Sequence, residues 1–154
     1  MPNWAEGLIK IRGTRQDIRK FLTQGLKPTN YSYSSQQFEV EIEEDEFELT
    51  MKALHGFYIK NTRRSFIDGE INWWFDDVEL EVLTIESFKQ AWVVEASQFS
   101  EISKEFNLDI KIYAFESGME FNQNIEIHKG EIIKNEVIRF DDYKWECLYP
   151  DLGG

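Results

Sequence analysis

Apolar and polar positions along this chain follow a two-residue period in most places and a helical period in two. Leu8, Ile9, Lys10, Ile11 and Arg12 form a short strand pattern, which Gly13 ends. Thr14, with Asp17 three residues on, then supplies a capping-box arrangement. Ile18, Phe21 and Leu22 recur at helical spacing, and Gly25 stands where a C-cap glycine would. The opening therefore reads as a strand and a helix of about three turns over 14–24. A polar loop, 27–37, is the best linker candidate.

From Phe38 the alternation is strict. Phe38, Val40 and Ile42 face one way and Glu39, Glu41 and Glu43 the other. The Glu-Glu-Asp-Glu run makes a bend, and Phe47, Leu49 and Met51 resume the apolar face. This predicts a half-buried antiparallel hairpin with one face built of glutamate. Like charges opposite one another cost stability, so that face is expected to be solvated or paired with a base such as Arg63 or Arg64. Residues 57–67 read as extended, and Asp68-Gly69 between two apolar runs reads as a two-residue turn. A strand follows over 78–85. Phe88, Trp92, Phe99, Ile102 and Phe106 then recur at helical spacing, although Val93-Val94 weakens one unbroken helix. Residues 108–115 return to a strand, a hairpin follows across Lys129-Gly130, and 137–148 read as a last extended piece. The order is strand, helix, strands, then strands, helix, strands. It predicts one α+β domain over 1–154: a mainly antiparallel sheet with two helices packed on one face.

Composition changes this picture little, whereas charge changes it more. With 154 residues, 42% hydrophobic and 15% aromatic, the chain has ample material for a core. A lone cysteine, Cys147, excludes an internal disulfide framework and fits a reducing cytoplasm. No apolar run nears the roughly 20 residues that span a bilayer, and basic residues interrupt the first 20. The 29 acids against 17 bases leave a net charge of −12, which disfavours phosphate backbones as partners of the average surface. Residues 1–30 are nevertheless net basic, whereas 38–50 and 68–86 each carry seven acids and no base. Such blocks steer a basic partner as readily as they solubilise a protein.

The first residues, Pro2-Asn3-Trp4, then a short strand, Gly13 and a helix bearing Ile18-Arg19-Lys20-Phe21-Leu22, resemble the YubB-type family of ferredoxin-like proteins. Its members occur in phages, prophages and plasmids. Tyr113, Glu116, Gly118 and Phe121 match the family's aromatic strand and Glu-x-Gly turn, and Tyr143 to Glu146 match its closing tyrosine–tryptophan strand. The middle departs: the family's Asn-Trp-Gly-Thr-Lys-Trp-Asp segment is met here by Ile71 to Asp77 without the Gly-Thr-Lys. The resemblance implies a ferredoxin-like fold and a mobile-element setting, and no established reaction.

Motifs for zinc hydrolysis, nucleotide-binding loops and EF-hand calcium sites are absent, so neither cofactor nor metal is expected. The chemistry-bearing candidates are therefore surfaces. Trp73 and Phe75 share one face of an alternating strand and Trp74 takes the other, beside Asp76 and Asp77. Tryptophan with a charged rim is a combination that interfaces favour. The expected partner-binding residues are Glu39, Glu41, Glu43, Trp73, Trp74, Asp76 and Asp77. They suit a non-catalytic acidic protein that docks on a basic host or phage protein, with nucleic-acid mimicry or inhibition of a defence nuclease as particular forms. The alternative is a small enzyme acting on a nucleotide or other small molecule through Glu or Asp with His128 or His55. Weak nucleic-acid binding on the sheet ranks third.

Overall fold

The computed structural model describes residues 1–30 and 39–154. Phe38 and most of the predicted 27–37 loop lie outside the described residues, while Lys27 and Pro28 belong to a strand. In chain order the elements are β1 (Trp4–Gly13), α1 (Arg15–Lys20), a π-helical turn (Phe21–Gly25), β2 (Leu26–Pro28), β3 (Glu41–Glu44), β4 (Glu48–Lys52), β5 (Phe57–Ile59) and β6 (Ser65–Ile67). They continue with β7 (Glu70–Trp74), β8 (Glu81–Ala91), α2 (Ala96–Phe106), β9 (Asp109–Glu116), β10 (Phe121–His128), β11 (Glu131–Ile138) and α3 (Tyr143–Glu146). An eight-stranded sheet runs β11-β10-β9-β1-β8-β6-β5-β2, and a three-stranded sheet runs β3-β4-β7. All their pairings are antiparallel.

This corrects the expectation of a ferredoxin-like α+β domain, a sheet with two helices packed on one face. The helical period from Phe88 to Phe106 misled, because β8 continues through Phe88 to Ala91 and α2 starts only at Ala96. Trp92, at φ 67°, breaks the chain between them, just before the Val93-Val94 pair. The second helix thus loses its first half to a strand of 11 residues, and the large sheet grows accordingly. The expected closing strand fails as well. β11 ends at Ile138, and Tyr143–Glu146 form one helical turn, whose Trp145 amide donates to Asp142 Oδ1.

Other local chemistry acts as the sequence suggests. Asp17 N–H donates to Thr14 Oγ1 at 3.1 Å, capping α1. The β10–β11 hairpin turns at Lys129 and Gly130, both at positive φ. Asp68-Gly69 is different. Neither residue has positive φ, and the strands on either side of them, β6 and β7, lie in different sheets. Glycine is needed there because a Cβ would stand 2.6 Å from the Ala53 carbonyl oxygen, whose residue bonds back to Gly69.

The inner faces of the two sheets and the apolar sides of α1 and α2 meet in one cluster of buried side chains. It includes Ile9, Ile85 and Ile112 from the large sheet, Leu49 and Trp73 from the small one, and Phe99 from α2. The small sheet's other face consequently points away from that core. No helix among the described residues is long and apolar enough to cross a membrane.

Candidate functional site

Strand register sorts the acidic residues into faces. β4 turns Leu49 and Met51 inward, and β7 turns Ile71 and Trp73 inward. Their neighbours must then face out. The pairings place Glu41, Lys52 and Glu70 in one cross-strand row, Glu43, Thr50 and Asn72 in the next, and Glu48 opposite Trp74 in a third. With strands about 4.8 Å apart and alternate residues about 7 Å apart, this grid spans roughly 10 by 14 Å. It holds four carboxylates and one ammonium. Lys52 Nζ stands 3.9 Å from Glu70 Oε1, so the base that tempers this face is Lys52 rather than Arg63 or Arg64. Arg63 pairs instead with Glu95 at 3.0 Å, and Arg64 lies over the Trp4 ring.

The predicted residues divide. Glu41 and Glu43 are exposed on the grid, and Trp74 is 67% exposed at its end. Glu39 is exposed just before β3, on the wall of a groove of about 1010 Å³ with Glu41, Lys52, Asp68 and Glu70. Trp73 is 2% exposed and belongs to the core, its ring edge-on to Phe75 at 4.8 Å. It supports the face without reaching a partner. Asp76 and Asp77 are exposed in the segment after β7. The expected apolar face of β3 is only partial: Val40 packs on the core, but Ile42 is 44% exposed on an edge strand.

The backbone that follows Trp74 is anchored. Phe75 N–H donates to the Phe47 carbonyl at 2.9 Å, which ties the strand end to the β3–β4 bend. That bend is closed by Asp45 Oδ1, which accepts from the amides of Phe47 and Glu48. The Arg15 guanidinium lies 4.1 Å over the Phe75 ring and 3.5 Å from Glu81. Glu81, fully buried, accepts from the Asp76 and Asp77 amides at 2.7 and 3.1 Å. One carboxylate from the acidic block is thus an internal brace for the turn that follows the tryptophan.

Sequence reasoning missed Lys52, Glu48 and Glu70 as members of the face, since only register reveals them. For His128, named as a candidate with an unspecified acid, the partners Glu126 and Lys111 were not identified; the three form a cluster on the outer face of the large sheet. There His128 Nε2 lies 2.8 Å from Glu126 Oε2, and Lys111 Nζ lies 3.3 Å from Glu126 Oε1. The Lys111 hydrogen bond, then the charges of Lys111 and His128, hold the Glu126 carboxyl below its usual 4.5 despite partial burial. The two-residue spacing of Glu126 and His128 was the available signal. His55 is exposed in the turn between β4 and β5, and Cys147 is buried against Asn122. Among the described residues no group of three or more His, Cys, Asp or Glu side chains is arranged to hold a metal ion. Comparison with family models, with curated proteins and with solved structures finds no match for this chain.

Proposed function

We propose that the outer face of β3-β4-β7 docks a basic protein, and that the chain works by binding rather than by catalysis. The observation that carries this reading is Trp74. Acidic residues on an edge strand serve solubility and discourage strand-to-strand aggregation without any partner. An indole 67% exposed and paired across the strands with Glu48 serves neither purpose. It has the character of an aromatic anchor at the end of the grid, with Glu48 across from it and Glu43, then Glu41 and Glu70, farther along the same face. Mimicry of nucleic acid towards a basic nucleic-acid-binding protein, in a cytoplasmic and mobile-element setting, is the finer form of the same proposal.

The Glu126–His128 pair favours the enzymatic alternative, because a carboxylate that orients an imidazole is common equipment for proton transfer. Its depression, bordered by Lys10, Arg12, Asp109 and Lys111, measures about 200 Å³. Small-molecule sites usually need roughly 300–1,000 Å³, so the docking reading is preferred.

The test is stopped-flow association of a lysine- and arginine-rich peptide with the native chain, with Glu43→Lys/Glu48→Lys and with Trp74→Ala. Reversing the two glutamates should slow association by roughly tenfold or more. It should also flatten the dependence on salt. Trp74→Ala should speed dissociation and leave the on-rate alone. Rates unchanged in both variants would overturn the proposal.

A further inference from the structure

The large sheet carries a patch of the opposite chemistry. On the outer face of the large sheet, Lys27, Tyr58, Phe66 and Lys89 stand in one continuous cross-strand row across β2, β5, β6 and β8. Three strand spacings make the row about 14 Å long. Tyr58 and Phe66 meet at a centroid distance of 5.8 Å, and Trp4 on β1 meets Phe66 edge-on at 6.0 Å. All three rings are only partly buried. Lys27 Nζ lies 5.1 Å from the Tyr58 centroid. Lys89 Nζ and Arg64 Cζ lie 4.6 and 5.5 Å from that of Trp4.

Among the described residues, none of these three cations is in an ion pair with a carboxylate. Glu6 is the acid in register with Lys89, and Asp68 and Glu86 stand at the border of the patch. A chain of net charge −12 has thus placed three cations around three adjoining rings. The C-terminal segment covers the neighbouring part of the face, where Tyr149 packs edge-on against Phe115 and Gly154 N–H donates to the Trp4 carbonyl. The row from Lys27 to Lys89 lies beyond these contacts.

We propose that this row is a platform for single-stranded nucleic acid. Partly exposed aromatic rings stack bases of any sequence, and ammonium and guanidinium groups beside them neutralise phosphates. Trp4, Tyr58 and Phe66 supply the stacking surfaces, and Lys27, Arg64 and Lys89 the phosphate contacts. The row stands on a different sheet from the acidic grid, and Asp68 and Ser87 mark the border where the two surfaces meet.

The probe is a short fluorescein-labelled oligothymidylate, titrated with the whole chain and followed by anisotropy. Three neutralised phosphates on a single strand predict an affinity that falls roughly 20-fold between 50 and 200 mM salt. Phe66→Ala should weaken binding at least about fivefold. Lys27→Glu/Lys89→Glu should weaken it further and flatten the salt dependence. Lys20→Glu, on exposed α1, should change little. Inorganic polyphosphate, which has charge and no bases, should compete poorly. Absence of binding at 50 mM salt would overturn the proposal. So would polyphosphate competing as well as the unlabelled oligomer, or a folded lysine double variant that binds as the native chain does.

Discussion

Glu81→Gln is the substitution in which sequence and structure give the most different expectations. Read as one of seven acids between 68 and 86, Glu81 belongs to a solvated face, and neutralising it should relieve repulsion. In the structure it is 0% exposed and receives two backbone N–H donors, from Asp76 and Asp77, together with Arg15. Glutamine has nearly the same shape, but its NH₂ must face one of those donors. One amide loses its acceptor, and the other bond loses its charge. A hydrogen bond to a charged group is worth about 1.5–3 kcal/mol, and an unsatisfied buried donor costs about 1–3. The Arg15 contact adds little, since that side chain is 39% exposed. The expected loss is therefore about 3 kcal/mol. With a urea slope of about 2 kcal/mol/M, the unfolding midpoint should drop by about 1.5 M. A midpoint within about 0.2 M of native would refute the assignment of Glu81 as a brace. So would the stabilisation expected of a relieved surface charge.

Gly7→Ala should prevent folding or unseat β1, because the new Cβ would meet the Tyr113 carbonyl oxygen; circular dichroism and solubility report this directly. Tyr143 is held above its ordinary 10.0 by burial first and by neighbouring Cys147 second, so its phenol stays neutral while an unfolded tyrosine ionises. That contribution is whole below pH 10 and is lost as pH rises beyond it. Urea midpoints should fall more steeply above pH 10 for the native chain than for Tyr143→Phe. Glu126 has the reverse sign: its lowered value contributes stability above about pH 4.5 that disappears as pH falls. The acid arm of the stability profile should accordingly flatten in Glu126→Gln.

Local signals were legible where one residue type answers one backbone need. Thr14 capping α1 and the positive φ at Lys129-Gly130 both follow from such needs. Signals that depend on partners were not. Phe88 and Trp92 fit a helical stripe equally well, but pairing of β8 with both β1 and β6 extends the strand to Ala91. Asp68-Gly69 marks a change of direction, yet nothing local says that the next strand joins another sheet. The acidic face was half visible. Alternation placed Glu41 and Glu43 outside, whereas register adds Glu48, Glu70 and Lys52, and burial removes Trp73 to the interior.

The proposed docking face is tested most directly by location. Backbone and indole resonances of the isotope-labelled chain, followed by NMR during titration with a lysine- and arginine-rich peptide, show where contact occurs. The account predicts saturable shifts at the Trp74 indole and at the amides of Glu43, Glu48, Thr50 and Asn72, while Trp73 and β9 to β11 stay still. Shifts spread evenly over exposed acids throughout the chain, or a Trp74 indole that does not move at saturation, would contradict it.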